Sequence, residues 1–490
     1  MLAQVDGAPD SLHQLVIGVD QQPRELGPQE IAQLGDDLAQ LAFARGVFPK
    51  SAGEALQVLA TEPNGRFTEQ RPFFVSEEGQ LPGAAARPRF IVIAGNAPSG
   101  PDVFVSAAHP TTESVVEIMA WDHRRGGFNY YQRTADGPWV HAGNSADAFG
   151  ESSAGKGPFE SHPSGNVIMK ELRFPWVHWN SFAATIRADV VSPDTASNPW
   201  FIGAGGAEAL ETAVMASIQR WAAARLDAGL NIRDVVAPLL RPTTVNLVSS
   251  KTESGGILSG AVANFDVPHA FFVDSETLHG VLGLPAPDPS AFRIPSGSYR
   301  AVLERHEVAL RANGTTVPSD THFAFVVPER AFEDITMVRL AIDRGLVTKR
   351  LAACLLMVDF PNPVFSDRRA ALLRHVPDAA ASPQLSDTVA DAILASPASQ
   401  EAGSAEGEFR ELWESGDDGW RQACANRLTA YSNGLAAELA NPNLDHLFAL
   451  AEQRRDRVRE MPIHESPLLF ATPNKPPPAA VSAHPDGTIR

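Results

Sequence analysis

Between Arg89 and Gly143 five short apolar stretches follow one another, RFIVIAGN, DVFVSAA, SVVEIMAWD, FNYYQR and WVHAG, with Gly, Pro, Asn or Asp at the junctions. Segments of this length, rich in β-branched and aromatic residues and bounded by turn formers, read as strands. The last three predict an antiparallel meander whose turns are His123–Gly127 and Thr134–Pro138. On the strand Phe128–Arg133 the two-residue period puts Phe128, Tyr130 and Gln132 on one face and Asn129, Tyr131 and Arg133 on the other. Two adjacent tyrosines are thereby sent in opposite directions.

The flanks are less regular. Ahead of the strands the sequence predicts a strand over Gln14–Val19, one helix over Pro28–Ala44, a second over Ser51–Ala60 and a loop over Glu77–Arg87. In the first helix Ile31, Leu34, Leu38 and Leu41 recur at helical spacing. After the strands, Ala207–Asp227 places Leu210, Val214, Ile218 and Trp221 along one stripe. The Gly203, Gly205 and Gly206 run before it reads as an entry to the helix rather than an anion cradle, because no further glycine follows at dinucleotide spacing. Residues 243–333 mix strand candidates, TTVNLVSS, HAFFVD and HFAFVVP, with helical patterns near Ser275–Leu282 and Tyr299–Leu310.

Beyond Phe332 nearly every pattern is helical: Ile335–Phe360 with a break at Gly345, Asp367–His375 behind a Ser366 cap, Ser386–Leu394, Phe409–Trp413, Trp420–Leu439 and Leu444–Arg459. Asp378–Pro383 and Ser396–Gly407 read as mobile connections. The last segment, 472–490, has little to bury and is expected to be disordered. The fold class is α+β: a sheet-rich, antiparallel amino-terminal and central region with a helical carboxy-terminal layer. The expected division is 1–87, a strand-helix segment; 88–333, the sheet-rich core with inserted helices; 334–471, helical; and 472–490, the tail. A chain of 490 residues is too long for one ordinary core, so two or three domains, or one large domain with substantial insertions, are expected.

Composition excludes some functions. The formal charge is −18, and the basic residues are scattered, so nucleic acid and anionic membranes are poor partners. The longest apolar run, Leu351–Phe360, is too short to span a bilayer. The amino terminus lacks the charged and apolar regions of an export signal, which implies a soluble, cytoplasmic protein. Cys354 and Cys424 fall in apolar helical surroundings and read as reduced packing residues.

No phosphate-binding Gly-rich loop, nucleophile elbow, H-E-x-x-H or paired C-x-x-C motif occurs. The chemistry-bearing side chains concentrate instead in Gly155–Ser181, GKGPFESHPSGNVIMKELRFPWVHWNS. His162, Glu171 and His178 are the ligand types of a catalytic zinc or non-haem iron. If Val167–Phe174 is a strand, Lys170 stands among Ile168, Leu172 and Phe174, a position that needs a carboxylate or a ligand, so Lys170 and Glu171 are the candidate catalytic pair. Tyr130, Trp176 and Trp179 suit a pocket for a flat or apolar cofactor, haem included. His109, His123 and His141 are further histidines that could complete such a site. Each has a structural alternative as well: a loop-capping or packed histidine, a surface ion pair, an aromatic core. The sequence therefore predicts a soluble enzyme binding a small-molecule ligand, a metal- (iron) or haem-dependent oxidoreductase centred on 155–181. The alternative is a non-enzymatic binding or assembly protein with an acidic surface. Homo-oligomerisation stays open.

Overall fold

The computed structural model of the chain describes residues 5–78, 87–95, 98–112, 115–167, 191–229, 231–243, 245–248, 260–288, 292–312, 315–318, 327–378, 384–460, 472–477 and 480–490. They fall into two compact units, one up to residue 227 and one from residue 228 onward. The α+β class is what the structure shows, with a mostly antiparallel sheet in the first unit and helices dominating the carboxy-terminal part. Among the described residues no helix is long and apolar enough to cross a membrane.

The first unit is built on an eight-stranded sheet. Its strands are β1 (Leu12–Gln14), β2 (Arg24–Glu25), β3 (Gln70–Glu78), β4 (Arg87–Ala94), β5 (Val103–Ala107), β6 (Val116–Asp122), β7 (Gly127–Arg133) and β8 (Trp139–Asn144). The spatial order is β2-β1-β8-β7-β6-β5-β4-β3. All neighbours are antiparallel except β1 and β8, which run parallel with Leu12 opposite Trp139. Period-two alternation sends Val92, Val105, Ile118 and Tyr131 into one core, beneath Leu38, Leu41, Phe43, Leu56 and Leu59 of the helical segments 28–59. On the other face Phe104, Trp121, Phe128 and Tyr130 are also buried. There they meet α3 (Ala207–Asp227), whose Arg220 lies 4.0 Å above the Trp121 ring, and the loop before residue 167, where Trp221 Nε1 donates to Ser164 O at 2.9 Å.

Where one helix over Pro28–Ala44 is expected, the chain forms a single turn, Pro28–Ile31, then α1 (Asp37–Leu41), then a 3-10 turn, Phe43–Arg45. The break at Gly35–Asp36 has a polar cause. Gly35 N donates to Asp122 Oδ2 at 2.9 Å, and Asp36, fully buried, accepts from Ala39 N (2.8 Å), Tyr131 Oη (2.6 Å) and Asn129 Nδ2 (2.7 Å). A continuous helix would carry these groups away from the sheet; the break makes Asp36 the N-cap of α1 and the link to β7 at once. α2 (Ala52–Leu59) starts at the Ser51 cap as expected, whereas the expected strand Gln14–Val19 forms earlier, at β1.

Among the described residues the second unit contains three two-stranded sheets: β9 (Val245–Val248) with β14 (Val327–Arg330), β10 (Asn264–Asp266) with β11 (Arg293–Pro295), and β12 (Ala309–Ala312) with β13 (Thr315–Pro318). HAFFVD is not a strand. Pro268 opens a 3-10 turn over His269–Phe271, and the consecutive side chains of Phe271 and Phe272 are both buried, which alternation on a half-exposed strand would forbid. The predicted helices appear at Phe332–Asp343 and Lys349–Leu356 around the Gly345 break, then at Asp367–Ala371, Leu385–Leu394, Ala405–Trp413, Gly416–Leu439 and Asp445–Arg459. Ser396–Gly407 is ordered rather than mobile: Ser399 is buried and its Oγ donates to Leu394 O at 2.9 Å. The tail also finds something to bury. Ser482 and Arg490 exchange backbone hydrogen bonds, Ala483 and Ile489 are buried, and Gly487 sits against Gly434 so closely that a Cβ on either would collide with backbone.

The Asp36 hub yields a first prediction. Asp36→Ala removes a helix cap and strands two buried donors, at about 1 kcal/mol for the cap and 1–3 kcal/mol for each donor, so a loss of about 3 kcal/mol or more is expected in urea unfolding. Tyr131→Phe is expected to cost roughly 1–3 kcal/mol. Losses below about 0.5 kcal/mol in both, the range of ordinary surface substitutions, would show that the hub does not fasten the helical layer.

Candidate functional site

The sheet separates two polar systems. On the inner face, Asn129 Nδ2 bridges Asp36 and Asp122 (2.7 and 3.1 Å), which leaves Asn129 Oδ1 to accept from His141 Nε2 at 3.3 Å. Burial pushes the Asp36 carboxyl up to about 6 against the pull of its three donors. Burial, helped by the Arg125 charge, pushes His141 down to about 4. Every member of this cluster faces the helical core, so it is a structural anchor.

The outer face carries the cavity. It spans β4 to β7 through Arg89, Ile91, Phe104, Ser106, Glu117, Met119, Tyr130 and Gln132, and Pro158, Ser161, His162 and Val167 close it from above, leaving about 70 Å³. A bulge shapes this wall. Between the Tyr131–His141 and Asn129–Asn144 pairs, two β8 residues, Ala142 and Gly143, oppose Tyr130 alone. Gly143 there has φ +113°, a backbone conformation that favours glycine, and a Cβ on it would stand 2.9 Å from Asp147 Oδ2 and 3.2 Å from the Phe159 ring, which packs edge-on against Tyr130 with ring centroids 5.3 Å apart.

His162 lies over the same tyrosine, centroid to centroid 5.6 Å. Its Nδ1–H donates to Asn166 O at 2.8 Å, which fixes the tautomer and leaves the Nε2 lone pair without a hydrogen-bond partner among the described residues. Burial drives its pKa to about 4, with the Asn166 carbonyl opposing and Arg89 adding to the fall. The Tyr130 hydroxyl is buried without a partner. Ser145 Oγ is near enough to influence it, but that oxygen donates to Gly165 O (2.6 Å) and accepts from Phe128 N (2.8 Å), and no bond of ordinary geometry joins the two hydroxyls. The cavity thus holds one open acceptor and one idle donor, set in an aromatic wall.

Of the predicted site residues, His162 and Tyr130 meet here. Lys170, Glu171, Trp176, His178 and Trp179 lie outside the described residues. His141 is on the opposite face of the sheet and cannot join His162, and His109 sits in an exposed turn with Thr111. Sequence reasoning missed Asn166, whose carbonyl orients His162, and Arg89 and Glu117. The signal for the last two was their place on the same strand face as Tyr130.

His123 belongs to a second cluster, with Asp37 and Asp102, whose ligand-type atoms lie within 4.8 Å of one another. Its carboxylates are already matched by cations: Arg66 stands 2.6 Å from Asp37 and 3.4 Å from Asp102, and Arg220 2.8 Å from Asp102. The hydrogen bond to Asp37 raises the His123 pKa despite partial burial. A metal ion would have to displace a guanidinium, so we read this cluster as an ion-pair network. Compared with known protein families, curated proteins and solved structures, the chain matches none.

Two histidines with depressed pKa values, His141 buried and His162 half-buried, have a measurable signature. The Cε1–H resonances of His141 and His162 are expected to titrate with midpoints about 4 instead of the ordinary 6.5. The folded state then binds fewer protons than the unfolded chain between these values, so each histidine contributes stability that is complete above 6.5 and lost as pH falls toward 4. For the well-buried His141 the loss is on the order of 3 kcal/mol. Asp36 acts in the opposite sense, since its raised pKa favours folding at low pH and the gain fades as pH rises through about 6. A His162 midpoint at 6 or above would mean that its ring is solvated and the cavity open.

Proposed function

We propose that the first unit binds a small hydroxyl-bearing organic molecule, an alcohol or a phenol, in the outer-face cavity. The carrying observation is the pairing of an unpartnered buried Tyr130 hydroxyl with an unpartnered His162 Nε2 in an aromatic pocket. A buried polar atom without a partner costs about 1–3 kcal/mol, which an occupant recovers. One hydroxyl on the occupant satisfies both, donating to Nε2 and accepting from Tyr130, while its carbon skeleton lies against Phe104, Met119 and Ile91. The volume is below the 300–1,000 Å³ typical of drug-sized ligand sites, so the occupant is small, and a haem does not fit the reading.

Magnitudes favour binding over proton-transfer catalysis. An imidazole with a pKa about 4 keeps its lone pair throughout the neutral range, so it accepts a hydrogen bond well and takes up a proton poorly. A second reading, a metal-dependent site, is favoured by one specific feature: Nδ1–H held by a carbonyl with Nε2 open is the orientation of a metal-ligating histidine. Titration with cobalt(II), followed by its ligand-field absorption and repeated on His162→Ala, tests that reading.

Phenol is the probe for the first. His162→Ala and Tyr130→Phe are each expected to weaken phenol binding by about ten-fold, the value of one hydrogen bond near 1.4 kcal/mol. Tyr130→Phe is expected to leave thermal stability unchanged or raised, because the hydroxyl it removes has no partner in the free protein. A Tyr130→Phe variant destabilised by more than about 1 kcal/mol, or phenol affinity equal in all three proteins, would refute the assignment.

A further inference from the structure

The second unit holds a larger cavity, about 270 Å³, with a different electrostatic character. Its floor is the turn Asp359–Arg369. Asp359 there adopts φ +49°, a left-handed conformation that non-glycine residues seldom hold. The turn is pinned from beneath by Arg369, 1% exposed, whose guanidinium donates to the carbonyls of Leu356, Val358, Asn362 and Pro363 at 2.8–3.4 Å. Arg454, 8% exposed, lines the cavity; it donates to Pro361 O at 2.8 Å and to Phe271 O, and lies over the Phe271 ring. Among the described residues no carboxylate stands within ion-pair distance of either guanidinium. Asp359 is close enough to act on both, but its oxygens accept from Asn362 Nδ2 (2.9 Å) and Ser366 Oγ (2.7 Å).

Buried charges in folded proteins are paired, because the desolvation that burial imposes is otherwise uncompensated. Of these two buried cations Arg454 lines the unfilled space, in a chain with a formal charge of −18. Burial lowers both to about 10, so both remain charged at neutral pH. Arg457 also lines the cavity, above the Phe365 ring and 3.1 Å from the exposed Asp367. The rest of the wall is mixed, with Asp359, Asn362, Asp367 and Arg368 beside the apolar Val364, Phe365 and Leu450, and one side of it is the tail: Val481 and Ser482 line the cavity, and the Gln453 side-chain amide, oriented to satisfy both partners, pairs with the backbone N and O of Val481.

We infer that this cavity is a binding site for a small organic carboxylate. Arg454 and Arg457 take the anionic head, for which the planar guanidinium fork is suited, and Val364, Phe365, Leu450 and Val481 take the apolar body. The ligand supplies at hydrogen-bond distance the counter-charge that Asp359 gives Arg454 only from farther off, and the tail forms one wall. The site is independent of the His162 cavity in residues and in ligand charge.

Benzoate is the probe, with calorimetric titration of the full chain. One saturable site is expected, weakened about ten-fold or more in Arg457→Gln, an exposed position whose substitution leaves the fold intact. It is expected to be unchanged in His162→Ala, and hydrogen exchange at the Val481 and Ser482 amides is expected to slow when benzoate is bound. No saturation by benzoate in folded protein overturns the inference. Equal affinity of Arg457→Gln and wild type overturns it, as does loss of binding in His162→Ala, which would move the ligand to the other cavity. Inorganic phosphate binding as tightly as benzoate would overturn the organic part, since the apolar wall would then contribute nothing.

Discussion

A single carboxylate, that of Asp36, does in the first unit what a strand-to-strand ladder cannot: it holds a layer of helix perpendicular to the direction in which the sheet's own hydrogen bonds run. It caps α1 and accepts from two side chains of β7 in the same fully buried spot. Burying a charge is unfavourable, and the rise of its pKa to about 6 is the measure of that cost. Three donors converging on two oxygens are what keep the arrangement stable, since an isolated carboxylate there would take up a proton or leave the core. With the inner face so fastened, the outer face of the same strands packs Trp121 and Phe128 beneath Arg220 and leaves the Tyr130 hydroxyl without a bond.

That division follows from the pleat. Asn129, Tyr131 and His141 turn inward and are consumed by the anchor, while Tyr130, one residue away, turns outward to His162. Tyrosines that differ by one position in sequence thus differ completely in role. The inner hydroxyl is bonded to a carboxylate at 2.6 Å, and the outer one has nothing to bond. The bulge opposite Tyr130 is what brings Phe159 and the following turn down upon it, so the irregularity in the ladder and the cavity have one origin.

The strand alternation of β4–β8 was legible because each of those strands is long enough for its period to show and is bounded by residues that cannot continue it. The opposite faces of Tyr130 and Tyr131 were legible for the same reason. The break at Gly35–Asp36 was not, because Leu34 and Leu38 keep helical spacing across it and the groups that force it, Asp122 and Asn129, are some ninety positions away. HAFFVD misleads by composition: two consecutive phenylalanines satisfy a strand pattern and a buried turn equally well, and Pro268 decides for the turn. The tail's burial depends on a long-range fit of Gly487 to Gly434 that no local pattern encodes. His162 and Tyr130 could each be picked out as unusual residues, but their proximity is tertiary, and so is the role of Asn166, which acts through a backbone carbonyl that any residue possesses.

The two cavities differ in what they lack, and that difference carries chemical information. A neutral donor and a neutral acceptor left idle select an uncharged group able to be both, and the two charged residues of the wall, Arg89 and Glu117, are of opposite sign. Guanidinium groups held by carbonyls alone select the reverse. Carbonyl oxygens accept from both terminal nitrogens of Arg454 and of Arg369, whose Nε is left buried without a partner, but they contribute only partial charges, so hydrogen bonding and charge neutralisation are separate requirements, and no carboxylate among the described residues meets the second at ion-pair distance. The turn beneath them, with Asp359 in a left-handed conformation and its carboxylate tied to Asn362 and Ser366, keeps the nearest acid from closing that gap itself. Were Asp359 released from those two donors and from Arg368, 3.9 Å away, it would be the natural partner of the buried cations. The restraint on one aspartate is thus what leaves the positive charge available.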